Sequence, residues 1–218
     1  MPTEAVQDYL KAIWSLDQSE EATTTGVAQV LGVASASVSG MLKKLRSQGL
    51  VRNTPYKTVK LTKKGESLAL EVIRTHRLIE SYLYEALGVP WDEVHDEAEA
   101  LEHAISPRLV ARIAEAMGNP THDPHGEPIP PPGGARPPTI DDSSLDRMKA
   151  PAHLRVVRVG DEDAEALRYL AKIGIVPGAK IELVEFAPFG GPIWIKTDCD
   201  TFALGPQLAA NIRVVEVA

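Results

Sequence analysis

Residues 34–65 read ASASVSGMLKKLRSQGLVRNTPYKTVKLTKKG. The first half sets Val38, Leu42 and Leu45 at the spacing of one buried helical stripe. Ser35 can cap that helix, which runs to about Gln48, and Gly49 can end it. The second half alternates around NTPYKT and predicts a β-hairpin. The stretch holds Lys43, Lys44, Arg46, Arg52, Lys57, Lys60, Lys63 and Lys64 and no acid. That is +8 in a chain of net charge -7, so the remainder carries -7 minus 8, or -15. A basic block in an acidic chain is an electrostatic footprint for phosphate; a solvated lysine-rich face is the plainer reading of charge alone.

Upstream, TTTGVAQVLGV (23–33) offers threonines as helix caps and Gly32 as a stop. Before it, EAVQDYLKAIWSL (4–16) places Val6, Leu10, Ile13 and Leu16 near one side of a helix. Helix, helix–turn–helix, hairpin is the order of a winged helix–turn–helix, assigned to residues 1–64. Its second helix can enter a major groove. The exposed face would carry Ser35, Ser37, Ser39, Gly40 and Lys43, with Tyr56 and Lys57 of the wing on the DNA backbone. Serine hydroxyls reach bases or phosphates, whereas lysines mainly neutralise phosphate. No arginine, asparagine or glutamine stands at the helix start, so van der Waals contact and DNA shape are expected to share the specificity.

Downstream, residues 65–118 are helical in pattern, with a break at VPWDEV and with helices over Trp91 to Ile105 and Pro107 to Met117. Residues 119–151 are crowded with proline and glycine and predict a linker. From 152 to 218, LRVVRV, KIELVEF, PIWIKT, TFALG and IRVVEV are short β-rich runs, with one helix at about Asp161 to Ile173. A small barrel of SH3-like size fits them. The fold expected is mainly α with a β component, in three folded segments and a linker.

The single cysteine, Cys199, excludes an intrachain disulfide and a cysteine zinc cluster. No window reaches the roughly 18 apolar residues of a membrane helix. The opening MPTEAVQDYL lacks a signal-peptide layout. A cytoplasmic protein with no membrane partner is expected.

HDEAEALEH (95–103) places two histidines around four carboxylates. At about 100° per residue, with His95 at zero, Glu99 falls at 40°, Glu102 at -20° and His103 at 80°. These four converge, while Asp96 lies at the edge and Glu97 on the far side. Carboxylates gathered without a cation repel each other. A second helix offers His76 and Glu80 at i, i+4. Surface pairs explain any one of these residues; two helices with the same offer point to a divalent metal. His122 and His125 read as surface histidines of the linker.

These motifs resemble the diphtheria-toxin-repressor family of metal-dependent transcriptional regulators. The likeness rests on the N-terminal winged helix, HRLIESYL (76–83), VHDEAEALEHAIS (94–106) and DPHGEPIP (123–130). It extends to VPGAKIELV (176–184) and FALGPQLAANIRV (202–214), which resemble the family's FeoA-type SH3-like domain. The resemblance implies a primary metal site of Asp8, Glu99, Glu102 and His103. It implies a second site of His76, Glu80 and His95, sometimes completed by an acid of the SH3-like domain, for which Asp163 is chosen here. Iron-type members carry cysteine and methionine where this chain has Glu99 and Asp8. The hard-oxygen pair favours manganese(II), with iron(II) as the alternative. Lys11 stands where short manganese-type members carry glutamate. The resemblance further implies a homodimer on a palindromic double-stranded DNA operator, repressing metal-uptake genes, with no small organic substrate. A carboxylate–histidine di-metal enzyme is the reading from a different class; no nucleophile motif supports it. A winged-helix regulator that answers to a small molecule is a third.

Overall fold

The computed structural model describes residues 2–17, 22–53, 58–161 and 163–217. Two compact units divide inside one long helix: residues 1–76 with 130–137, and residues 77–129 with 138–218.

The first unit starts with α1 (Glu4–Asp17), whose Val6, Tyr9, Leu10 and Ile13 are buried. Next come α2 (Thr24–Val30) and α3 (Ser35–Ser47), whose axes turn by 109° across the short break between them. That is the angle of a helix–turn–helix. Thr23 caps α2, its Oγ1 accepting from the Gly26 amide at 3.0 Å. Ser35 does not cap α3. Ala34 holds the extended cap position without a side-chain bond, and Ser35 is the first helical residue. Gly49 ends the helix at a φ of +69°, where a β-carbon is unfavourable. β1 (Val51–Asn53) and β2 (Val59–Leu61) pair antiparallel with Val51 opposite Leu61. The wing tip, with Tyr56 and Lys57, lies outside the described residues. Val38, Leu42 and Leu45 of α3 close the core with Leu10, Ile13, Val27, Leu50 and Val59.

α4 (Lys63–Leu87) is the long helix. Gly65 sits against the backbone of Leu50, where a β-carbon would meet the carbonyl oxygen at 2.0 Å. Residues 130–137 are held along this part of α4: Arg74 donates to the Pro130 carbonyl and the Gly133 amide to Glu71, both at 2.7 Å, and Arg136 pairs with Glu66.

The second unit contains the rest of α4, then α5 (Val94–Leu101) and α6 (Pro107–Ala116). Ser106 caps α6 and Pro107 opens it. α5 is shorter than the Trp91 to Ile105 expected. It stops at Leu101, and Glu102 is its cap residue, still in the right-handed region. Below them is an antiparallel sheet of order β3-β8-β4-β5-β6-β7. Its strands are β3 (Ser143–Ser144), β4 (Ala152–Val159), β5 (Lys180–Phe186), β6 (Ile193–Lys196), β7 (Thr201–Leu204) and β8 (Ile212–Glu216). α7 (Ala164–Lys172) joins β4 to β5, and α8 (Pro206–Ala210) precedes β8. Leu154, Val156, Leu167, Leu170, Leu183 and Ile195 are among the buried core of this SH3-like domain, and Trp91 packs on it.

Within residues 119–151, expected as a linker, β3 and a short 3-10 turn (Leu145–Arg147) form, and residues 119–142, without helix or strand, are fixed by specific bonds. His122 bridges Pro128 across a tight turn, and the Val159 amide donates to the His125 carbonyl at 3.0 Å. No single helix among the described residues is long and apolar enough to cross a membrane.

Candidate metal centre

The turn Asp123–Pro124–His125–Gly126–Glu127 is built by one carboxylate. Asp123 Oδ1 accepts from the amides of His125 and Glu127, both at 2.9 Å. Gly126 has φ +87°, and a β-carbon there would meet the Val157 carbonyl oxygen at 2.1 Å. Only glycine lets the turn lie this close to β4, at the place where the β4–β8 register shifts between Val156 and Arg158. Arg158 then bonds Glu127 at 2.8 Å and Asp142 at 2.9 Å, and Arg77 bonds the Pro128 carbonyl at 2.7 Å. The turn is thus clamped from α4 on one side and from the sheet on the other.

The clamp presents His125 to the acid group. His125 is fully buried, and its Nε2 lies 2.7 Å from the Trp91 carbonyl oxygen. A carbonyl only accepts, so Nε2 carries a proton, and in that tautomer of the neutral ring the lone pair is on Nδ1. Nδ1 is buried, has no hydrogen-bond partner among the described residues, and lies 3.9 Å from Glu80 Oε1. Glu80 is itself 0% exposed on α4. Glu80, His125 and Asp161 bring one ligand atom each to within 4.8 Å of one another.

His95, on α5, completes the surround. Its Nδ1 is 3.3 Å from Glu80 Oε1 and 3.5 Å from Asp161 Oδ2. Hydrogen bonds to Asp161 and then Glu80 lift the imidazole to about 10, against the pull of burial. Burial, with Glu80 close by, pushes the Asp123 carboxyl well above its ordinary range, despite Arg77 Nε at 3.4 Å from its Oδ2. Buried carboxylates facing each other and a bare imidazole nitrogen are costly unless a cation joins them. Carboxylate oxygens with imidazole nitrogens suit a hard or borderline divalent ion such as manganese(II) or iron(II). The residues present fit the metal.

Two expectations change here. Asp163 is not part of this group: its Oδ1 caps α7, accepting from the Glu165 and Ala166 amides at 2.9 and 3.1 Å. A capping side chain must fold back on its own helix. Asp161, two residues earlier, is the acid that reaches His95. His125 was read as a surface histidine and is buried; its signal was the phrase DPHGEP, in which an acid precedes a turn glycine. His122 is exposed, with Nδ1 on Thr121 Oγ1 at 3.0 Å.

At the other end of α5, Glu99 is exposed and lies 3.9 Å from His95, one turn away. Glu102 is 4% exposed, and its Oε1 is 3.5 Å from His103 Nε2. His103 follows the helix end, so the chain turn, not the helical period, aims it. In the first unit, Asp8 lies part-buried on α1, one helical turn from Lys11. His76 is 4% exposed on α4, one turn before Glu80.

The α3 face expected to read DNA lies in the first unit. Ser35, Ser37, Ser39, Gly40 and Lys43 are all exposed on α3, opposite the buried Val38, Leu42 and Leu45. Ser39 Oγ donates to the Ser35 carbonyl at 3.0 Å, so this hydroxyl is already partly committed to its own helix. Ala34 offers no side-chain cap, and its carbonyl oxygen accepts from the Ser37 and Val38 amides at 2.9 and 3.2 Å.

Three family models match along the chain. Residues 1–59 match the iron dependent repressor N-terminal DNA binding domain. Residues 62–131 match the iron dependent repressor metal binding and dimerisation domain, and residues 143–216 the FeoA domain. The iron-dependent repressor IdeR of Mycobacterium tuberculosis is 32% identical over 223 residues, covering 96% of each chain. A solved manganese-dependent transcriptional repressor in complex with manganese is 39% identical with a TM-score of 0.89, over 97% of this chain and 100% of that one. The manganese regulator SloR superposes with a TM-score of 0.82 at 31% identity, over the whole of both chains.

Proposed function

This chain belongs to the iron-dependent repressor family, the diphtheria-toxin-repressor type of metal-dependent DNA-binding regulators, and on that premise we propose that it is a manganese(II)-activated repressor of metal-uptake genes, acting in the cytoplasm as a homodimer on a palindromic operator. Members of this family are DNA-binding repressors, not enzymes. The observation that carries the metal dependence is the enclosed group of Glu80, His125 and Asp161, with a bare Nδ1 aimed at carboxylates. The choice of manganese over iron rests on oxygen ligands at Asp8 and Glu99 and on the absence of any cysteine but Cys199.

The proposed primary ligand set is Asp8, Glu99, Glu102 and His103, taken from the resemblance. The proposed second set is Glu80, His95, His125 and Asp161. His95 has to give up its proton before its nitrogen can ligate. When bound, the divalent cation supplies the positive charge that lets these carboxylates sit together. Without it, the protonated His95 bridges Glu80 and Asp161, so the metal has to displace that proton to bind. Ligand sets that favour one arrangement shift the population of dimers toward the one whose recognition helices are spaced by a turn of DNA. On α3, Ser35, Ser37, Ser39 and Lys43 are the proposed DNA contacts, with Tyr56 and Lys57 in the wing.

Fluorescence anisotropy on the promoter of a manganese transporter from the same genome tests the reading, at one fixed salt concentration. Chelated protein should leave the DNA free, and manganese(II) should drive binding. Equal binding with and without metal would sink the proposal, and binding driven by iron(II) alone would move it to the iron branch.

A further inference from the structure

The outer face of the SH3-like sheet carries a cleft that has no part in the metal centre or the DNA surface. Its volume is about 470 Å³, within the range of small-molecule sites. Every residue that lines it belongs to the second unit. Side chains alternate between the two faces of a strand. On β4, Leu154 and Val156 therefore enter the core while His153 and Arg155 point outward. On β5, Ile181 and Leu183 are buried and Lys180 and Glu182 face out; β6 adds Lys196. The register sets two rows across this face: Arg155 opposite Lys180, and His153, Glu182 and Lys196 side by side.

Two cations directly opposite each other on paired strands repel, which is destabilising. The neighbouring strand brings no acid to this row, since it places Val215 opposite Arg155. Residues 152–218 hold seven lysines and arginines. Arg158, Arg168 and Arg213 are each bound to a carboxylate. Of the remaining four, Arg155, Lys180 and Lys196 all line the cleft and are exposed, and none has an ion-pair partner among the described residues. Glu182 and Asp198 also line it without pairing to these cations.

The ground under these side chains is fixed. Leu154 and Ile181 are buried in the barrel core. The Val217 amide donates to the His153 carbonyl at 3.0 Å. Buried Thr197 holds the turn after β6: its amide donates to the Asp200 carbonyl at 2.9 Å, and its Oγ1 accepts from the Cys199 amide at 3.1 Å. Unpaired cations converging over a fixed floor suit an anion, and a guanidinium meets a carboxylate with two parallel donors.

We propose that this cleft binds a small organic dicarboxylate. Arg155 and Lys180 receive one carboxylate. Lys196, in the next row about 7 Å along the strands, receives the other. Glu182 and Asp198 disfavour an extended polyanion such as a nucleic-acid backbone, whose further phosphates would meet them. The proposal does not rest on the metal-sensor reading, and its test uses metal-free protein so that the two stand or fall separately.

The test is a titration of the metal-free, 15N-labelled full chain with glutarate, followed by NMR amide shifts, with chloride keeping the ionic strength constant. Amides of residues 153–155, 180–182 and 196–198 should move together with a Kd of about 1 mM or tighter. Acetate, which has one carboxylate, should bind at least about tenfold more weakly. R155Q and K180Q should each weaken glutarate about tenfold. K172Q removes an exposed lysine of α7 outside the cleft and should stay within about twofold of the native chain. Both cleft variants relieve a repulsion, so their urea midpoints should equal or exceed the native one, which separates lost binding from lost folding. If one of them does not fold, the other and the glutarate–acetate contrast on the native chain decide. Shifts scattered over the surface, acetate binding as tightly as glutarate, or K172Q as damaging as K180Q would overturn the proposal. Inorganic phosphate binding more tightly than glutarate at the same amides would overturn the carboxylate assignment.

Discussion

The two carboxylate–histidine groups on α5 differ in how far they are assembled within one unit. The group at its start, around His95, is enclosed. It draws Glu80 from α4, His125 from a clamped turn and Asp161 from the segment after β4. The group at its end is open: Glu99 is exposed, and Glu102 has His103 beside it at 3.5 Å. An enclosed group can hold an ion on its own. An open one needs a further ligand, proposed here to be Asp8. The lesson is that the same residue types on one short helix can serve retention at one end and response at the other.

The largest expected effect separates the two. H125A should weaken manganese binding at the enclosed group by about 100-fold or more, since a ligand counts for at least as much as the partners behind it. D8A should leave that binding in place and remove most of the metal stimulation of operator binding. Calorimetry on each variant, paired with anisotropy, checks both. If D8A and H125A lose the same ion, the two groups are one site and the comparison fails.

The clamp behind His125 comes next. G126A places a β-carbon 2.1 Å from the Val157 carbonyl at a φ of +87°. It should destabilise the chain by roughly 2 kcal/mol. Urea unfolding reads the stability, and calorimetry should show manganese binding at the enclosed group weakened in the same variant. An unchanged affinity would mean that the turn does not set the position of His125.

What was legible in the sequence divides along the same line. The winged helix could be read because its signals are local: the stripe of Val38, Leu42 and Leu45, Gly49 at the helix end, an alternating hairpin. The SH3-like domain could be read from five short apolar runs. The grouping of Glu99 with Glu102 followed from helical period, though α5 ends at Leu101 and His103 is aimed by the turn after it. The enclosed group could not be read this way. Glu80, His125 and Asp161 are separated by 45 and 36 residues, and no period connects them. Asp163 looked like the acid for the site, but a helix start captures such a side chain, and a sequence shows that only if the helix boundary is known to the residue.

Metal choice sharpens the open group. E99C puts a thiolate where the native chain has an exposed carboxylate. It should shift the activating order from manganese(II) toward iron(II), cobalt(II) or zinc(II) by about tenfold, read as the metal concentration that half-saturates operator binding. The same ranking in both proteins would remove Glu99 from the ligands.

The smallest effect concerns the clamp's far end, for which the open group shows no counterpart among the described residues. Asp142 accepts from Arg158 at 2.9 Å and from Arg213 at 2.8 Å. Burial pushes its carboxyl upward, but the two guanidinium groups outweigh it and hold the carboxyl below its ordinary value. A carboxyl lowered in the folded chain binds protons more weakly there than in the unfolded chain. Its contribution is therefore complete above the unfolded value of about 3.9. It is lost as pH falls through the lower folded value. D142N should cost about 1 kcal/mol at neutral pH, and the gap to the native chain should close in strong acid. A gap that stays constant from neutral pH into strong acid would show that the asparagine fails by shape and not by charge. Asp142 would then drop out as the electrostatic anchor through which Arg158 holds Glu127 and, behind it, His125.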